Sequence, residues 1–137
     1  MNTSTELLEQ TLTRDAEQIG DITQPVMALY YQRYPEAITA FDAHAQGNRA
    51  ALEGDMVERI LYCLMYWLDS PGEIEIMLTG SVIHHADTLL VTPTWFEEML
   101  RATADVIGDT IPAGNSEELA VWGRLCSELR EVIKQSS

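Results

Sequence analysis

The chain has 137 residues, and its 22 acidic and 8 basic side chains give a formal net charge of −14. So negative a protein repels phosphate backbones and anionic lipid headgroups, which disfavours nucleic-acid and peripheral membrane roles. The length fits one domain, assigned to residues 1–137. No apolar run approaches the roughly 20 residues that cross a bilayer, and the first residues lack a signal peptide's basic start, so we expect a cytoplasmic location.

Helix signals recur in the first third of the chain. Residues 1–18, with leucines among Thr, Glu and Gln, predict a short amphipathic first helix. A second helix can be capped by Asp21 or Thr23 and is ended by Pro35, because the residue before a proline is pushed out of helical geometry. Residues 46–48 then predict a loop.

A long helix is predicted from this loop to residues 70–72. Its apolar positions recur at helical spacing: Leu52, Met56, Ile60, Cys63, Leu64 and Trp67. The following helix-like stretch contains the adjacent pair His84 and His85. Thr92 before Pro93 marks another helix start, since proline suits the first helical position.

The last helix is predicted to start at Asn115, which lies three residues before Glu118 in a capping-box-like pair. Its predicted buried stripe consists of Leu119, Trp122, Cys126, Leu129 and Ile133. The acidic pairs 97–98 and 117–118 are expected to be solvated charge near helix N-termini. Together these signals predict an all-α fold.

The two cysteines and the remaining motifs offer no separate chemistry. Cys63 and Cys126 are isolated in sequence and fall on apolar helix faces, so both are expected to be buried, reduced thiols. No catalytic triad, phosphate loop or zinc motif is present in the sequence.

The histidine pair carries the most specific chemistry, because a neutral imidazole is a good iron ligand. On a helix, Leu78, Val82 and Leu89 share the face of His85. That largely apolar face could seat a flat hydrophobic cofactor. The face of His84 carries more polar residues and would be wetter.

Taken in order, three segments resemble a globin. Residues 35–41 resemble the short third helix that leads to the corner phenylalanine of that family, here Phe41. The histidine segment resembles the helix that supplies the proximal iron ligand, and residues 116–122 resemble the start of the last helix in bacterial globins. The likeness spans roughly residues 20–135 and rests on helix order and spacing.

The resemblance implies a three-over-three helical sandwich that holds heme b. In globins the proximal histidine lies about two helical turns before the proline that opens the next helix. His85 lies eight residues before Pro93 and His84 lies nine before it, so His85 requires the smaller insertion. We therefore predict His85 as the iron ligand, with His84 as the alternative.

The resemblance also places residues on the distal side of the heme. Counting along the chain puts Met27 on the second helix, and Met56 and Ile60 on the distal helix. A shift of one residue would bring Asp55 into play instead. The resulting pocket is apolar and sulfur-bearing, so the iron is either five-coordinate or bound by Met56 or Met27 sulfur. Methionine also packs freely as core filler.

The remaining assignments complete the expected pocket. The residues assigned to heme contact are Met27, Phe41, Met56, Arg59, Ile60, Leu89, Val91, Phe96 and Leu100. Arg59 and His44 are candidates for the heme propionates, where a solvated surface role is the alternative. Tyr30 and Tyr31 lie about one turn beyond the usual second-helix donor position, and a local shift could recruit one.

The function expected from this resemblance is binding of small diatomic gases, namely oxygen, carbon monoxide or nitric oxide. Gas sensing, nitric-oxide handling or heme-based redox chemistry is favoured over oxygen storage, because no distal hydrogen-bond donor is assigned. A homodimer and a separate reductase are left open as partners. The alternative is a heme-free globin-like sensor or protein-interaction module. A bilin-binding relative ranks last, since the bilin is usually tethered through an exposed cysteine.

Overall fold

The computed structural model describes residues 3–45, 47–88 and 93–135. Within these ranges it does not describe the side chains of His44, of residues 81–88 or of residues 93–96. All regular elements in the described ranges are helices, which confirms the all-α prediction for that part of the chain. They are α1 Ser4–Gln18, α2 Thr23–Arg33, α3 Ala37–His44, α4 Arg49–Tyr66, α5 Pro71–Thr88, α6 Pro93–Gly108 and α7 Ser116–Gln135.

Polar side chains and prolines set the ends of these helices. An oxygen of a short polar side chain accepts a hydrogen bond from a nearby backbone N–H at 3.0 to 3.2 Å before α1, α2, α4 and α7; the residues are Thr3, Asp21, Asn48 and Asn115. Of the two candidates before α2, Asp21 is the one whose side chain does so, to Thr23 N. α2 ends at Arg33, just before the Tyr34-Pro35 dipeptide, as predicted.

The core is organised around α6 and α7. α7 packs against α1, α4, α5 and α6, while α6 also contacts α1, α2, α4 and α5. The predicted stripe of α7 is wrong at Leu119, which is 40% exposed. The buried side chains of α7 are instead Glu118, Trp122, Leu125, Leu129, Val132 and Ile133.

A buried ion pair explains this rotation of α7. The guanidinium of Arg14 on α1 donates to both carboxylate oxygens of Glu118, from Nη1 to Oε2 at 2.6 Å and from Nη2 to Oε1 at 2.8 Å. Glu118 is completely buried, so its charge must face α1. The prediction that Glu118 is solvated charge is therefore wrong. The capping box is therefore only half-formed. Asn115 accepts a hydrogen bond from the backbone N–H of Glu118, while the Glu118 side chain is bound to Arg14.

The acidic pair on α6 is also engaged. Glu97 accepts a hydrogen bond from Arg130 Nε on α7 at 3.1 Å, and Glu98 accepts one from Arg101 at 3.2 Å. Both carboxylates are mostly shielded from solvent. The prediction that this pair is solvated charge is wrong as well, because basic partners outside the first turn cover it.

Trp122 fixes the contact between α6 and α7. Its indole Nε1 donates to the backbone oxygen of Ala104 at 3.1 Å, and the ring is buried. Gly108 lies at the end of α6, where an added Cβ would approach Trp122 Nε1 at 3.1 Å. The absence of a side chain at Gly108 therefore permits this packing.

We expect Arg14→Met to lower the free energy of unfolding by about 3 kcal/mol at neutral pH, because it leaves the Glu118 carboxylate buried without its partner. Glu118→Gln should cost less, about 1 to 2 kcal/mol, since Arg14 is partly exposed and can be hydrated. Urea unfolding of both variants measures the difference. Equal losses of unfolding free energy in the two variants would contradict the conclusion that Glu118, rather than Arg14, is the fully buried partner.

The same pair predicts a pH dependence. The hydrogen bond from Arg14 lowers the pKa of Glu118, with burial opposing it. The pair therefore stabilises the fold above the ordinary glutamate pKa of about 4.3, and this contribution is lost as the pH falls through the lower pKa of the folded protein. The difference between wild type and Arg14→Met should shrink in acid. A difference that stays constant down to denaturing acid would contradict this.

Gly108→Ala and Gly123→Ala form a matched pair. Gly123 lies in the interior of α7 with open space around it, so Gly123→Ala should raise the free energy of unfolding by about 0.5 to 1 kcal/mol. Gly108→Ala should instead lower it by about 1 kcal/mol, because the added methyl would press on Trp122 Nε1, which is held by its hydrogen bond to Ala104. Thermal unfolding measures both, and stabilisation by Gly108→Ala would show that Trp122 can shift.

Candidate functional site

A small apolar void lies where α4, α5, α6 and α7 meet. Its lining consists of Ile60, Cys63, Leu78, Leu100, Leu129 and Ile133. Two residues predicted for the heme pocket, Ile60 from α4 and Leu100 from α6, are thereby brought together. The gap between these side chains is nowhere wide enough for a water molecule. Its chemistry is that of an apolar ligand site, but its volume is small.

The helix that carries the histidine pair forms one wall of this void. α5 extends from Pro71 to Thr88, so the backbone at His84 and His85 is helical. Ile74 and Leu78, four residues apart on α5, are both buried, and Leu78 lines the void. The side chains of both histidines lie outside the described residues, as do Leu89, Val91 and the side chain of Phe96. The choice between His85 and His84 therefore stays a prediction.

Two of the three predicted distal residues, Ile60 and Met27, line different spaces. Met27, Met56 and Ile60 are all buried, but Ile60 lines the void while Met27 lines a separate cleft of about 620 Å³ between α2 and α4. Asp55 is exposed and lines clefts on the outer side of α4. Burial of Met27 fits both a distal-pocket residue and core packing, so its assignment stays a prediction.

The aromatic residues near Phe41 form a cluster. Phe41 is buried, with its ring centroid 6.1 Å from that of Tyr30 and 5.9 Å from that of Tyr31. The Tyr31 hydroxyl donates to Glu53 Oε2 at 2.6 Å. Burial, with the hydrogen bond to Glu53 adding to it, raises the pKa of Tyr31. The hydroxyl of Tyr31 is thus directed towards Glu53 on α4, which makes Tyr31 a poor donor towards the void.

Arg59 and His44 are the two candidates for contact with the heme propionates. Arg59 is exposed on α4 and lines a shallow cleft that also includes Met77 of α5. It therefore lies at an edge between α4 and α5, where an anionic group could reach it. The side chain of His44 lies outside the described residues.

The cysteines are free thiols, as predicted. Cys63 is buried and lines the void, and burial raises its pKa to about 11. Cys126 is only half-buried, short of the predicted burial, and desolvation still raises its pKa to about 12. Both thiols are consequently protonated at neutral pH.

Asp15 is a buried carboxylate that sequence reasoning did not single out. It belongs to the buried face of α1 together with Leu7, Leu8 and Thr11. Asp15 lies four residues after Thr11 and seven after Leu8, so an acidic residue on an apolar stripe was a signal that could have identified it.

Comparisons with protein-family models, curated proteins and solved structures found no match to this chain. Among the described side chains, no group of three or more His, Cys, Asp or Glu residues is arranged to hold a metal ion. No helix in the described ranges is long and apolar enough to cross a membrane.

Both thiols should react slowly in the folded protein. Because their pKa values are raised to about 11 and 12, alkylation by iodoacetamide near pH 8 should be at least about a hundredfold slower than in the urea-unfolded chain. Mass spectrometry of timed samples follows the two sites separately. Rapid alkylation of Cys63 in the native protein would mean that α4 opens readily at the void.

Proposed function

We propose that this protein is a cytoplasmic, globin-type heme protein that binds small diatomic gases, with His85 as the proximal iron ligand. The observation that supports it is the apolar void where α4, α5, α6 and α7 meet, whose lining includes Ile60 and Leu100. Leu78 also lines the void, and position 85 follows it by seven residues, or about two turns, on the same helix. A ligand there would face branched aliphatic side chains.

The helix packing supports the finer fold proposal, a three-over-three sandwich. α2 packs on α6, and α4 packs on both α5 and α7. α1 lies against α6 and α7. Oxygen, carbon monoxide and nitric oxide are the proposed gases, in sensing, nitric-oxide handling or redox chemistry. A separate reductase and a homodimer remain predictions from the sequence.

The lining of the void is apolar, as heme requires, but it leaves too little space for heme. Porphyrin faces are apolar, as is the lining of the void, and Arg59 lies at an edge between α4 and α5, two of the helices around it. The void leaves no space that a water molecule could occupy, whereas ordinary ligand pockets hold roughly 300 to 1,000 Å³. The described residues therefore do not accommodate heme as they are packed, and uptake requires the helices around the void to separate.

The closed void favours a second candidate, a heme-free globin-like sensor or interaction module. Among the described residues, Leu129, Ile133 and their neighbours pack around the void without space for a cofactor. In this alternative the helices serve protein contacts or a small apolar ligand.

A titration with hemin separates the two candidates. Under the heme proposal, purified apoprotein should take up one hemin per chain with a sharp Soret band and a raised melting temperature, because a ligand that binds only the folded state must stabilise it. His85→Ala should lose the Soret shift, while His84→Ala, its adjacent control, should retain it. Saturating hemin with neither spectral shift nor stabilisation would establish the heme-free candidate.

A further inference from the structure

A further cleft lies between α1, the turn from α1 to α2, and α4. It shares no lining residue with the void. It encloses about 570 Å³. Its apolar lining includes Leu12, Ile22, Val57, Leu61 and Met65. The charged residues among its described lining are all acidic: Asp15, Asp21, Asp55 and Glu58. An apolar floor under a wholly negative rim is an arrangement that attracts a cation with a hydrophobic body.

Asp15 supplies the specific evidence for a ligand. Asp15 is one of the residues that line the cleft, yet it is only 5% exposed and its Oδ1 atom is buried with no hydrogen-bond partner. Buried polar atoms without a partner are rare in folded proteins, because each loses its hydration without compensation. Burial accordingly raises the pKa of Asp15. The carboxylate lacks a donor that a bound molecule could provide.

The backbone around Asp15 adds to the negative potential. Asp15 lies in the last turn of α1, where its carbonyl accepts from Ile19 N at 2.8 Å and from Gly20 N at 3.3 Å. Helix C-terminal ends carry partial negative charge, and no basic residue occupies the last turn of α1. Arg14, the adjacent cation, is already committed to Glu118. A carboxylate in this position is best balanced by a cation from outside the chain.

The lining distinguishes an organic cation from a metal ion. The described acidic side chains are not arranged as a metal-binding group of three or more. A divalent ion would require several oxygen ligands at close range, and an apolar floor would contribute none. An ammonium group on an aliphatic body needs one carboxylate acceptor and an apolar surface beside it.

We propose that this cleft binds an alkylammonium ligand, whose ammonium group donates to the carboxylate of Asp15 while its aliphatic body packs on Leu12, Ile22 and Val57. Asp21, Asp55 and Glu58 draw the cation to the entrance through their charge. The site is independent of the heme proposal, since it shares no lining residue with the void.

Calorimetric titration with three probes of equal length tests the proposal. Hexylammonium should bind at least about tenfold more tightly than hexanol, and hexanoate should not bind measurably, because only the first probe supplies a charged donor. The titrations are run at about 0.15 M salt, where distant surface charges are largely screened. Comparable affinities for hexylammonium and hexanol would overturn the proposal.

Matched variants locate the site. Asp15→Asn should weaken hexylammonium by at least about tenfold and leave hexanol unchanged, whereas Asp109→Asn, the same change at an exposed position outside the cleft lining, should have less than about a twofold effect. Equal effects of the two variants would show attraction by net charge alone and overturn the proposal. Calcium binding that depends on Asp15, without hexylammonium binding, would overturn it as well.

A steric variant gives an independent test that leaves every carboxylate in place. Gly54 on α4 lines the cleft and has open space where a side chain would extend. Gly54→Leu should fill the cleft and abolish binding of hexylammonium, while leucine favours the helix. The control is Gly123→Leu, because Gly123 is an exposed glycine in the interior of α7. This variant should bind hexylammonium as the wild type does. Unchanged affinity in Gly54→Leu would overturn the proposed location.

Discussion

The ion pair between Arg14 and Glu118 is the constraint on which both candidate sites depend. It joins positions 104 residues apart and forces one face of α7 inward. That face includes Leu129, which lines the void. On α1, consecutive side chains point about 100° apart around the axis. With Arg14 committed to α7, its neighbour Asp15 lies at the cleft beside α4. One buried interaction thus sets the orientation of both helices.

Much of the helix pattern could be predicted because its signals are local. Asn115, Pro35 and Pro93 act within a few residues of where they stand, so their effects can be inferred from the sequence. The orientation of α7 could not be predicted in this way. Leu119 is the more hydrophobic candidate for burial, but the partner that draws Glu118 inward lies on α1. Long-range ion pairing overrides hydrophobic periodicity at that position.

The same distinction between local and long-range signals applies to the candidate sites. Ile60 and Leu100 meet at the void because each lies on the inner face of its own helix, which spacing along the chain can indicate. Met27 was assigned to the same pocket by distance along the chain, but it lines a different cleft. Counting residues cannot fix how α2 and α4 are placed relative to each other. Asp15 carried a local signal, an acid within an apolar stripe, but its meaning depends on the long-range pairing that binds the adjacent Arg14 to Glu118.

The closed packing of the void has a kinetic consequence. A ligand can enter only after the helices around the void separate, which loosens the packing of side chains such as Ile60 and Leu78. Entry then proceeds in two steps, opening followed by capture. At high ligand concentration the rate of uptake reaches a plateau set by the opening of the helices rather than by diffusion. The timing of occupancy would be a property of the protein's own motion, whichever ligand it holds.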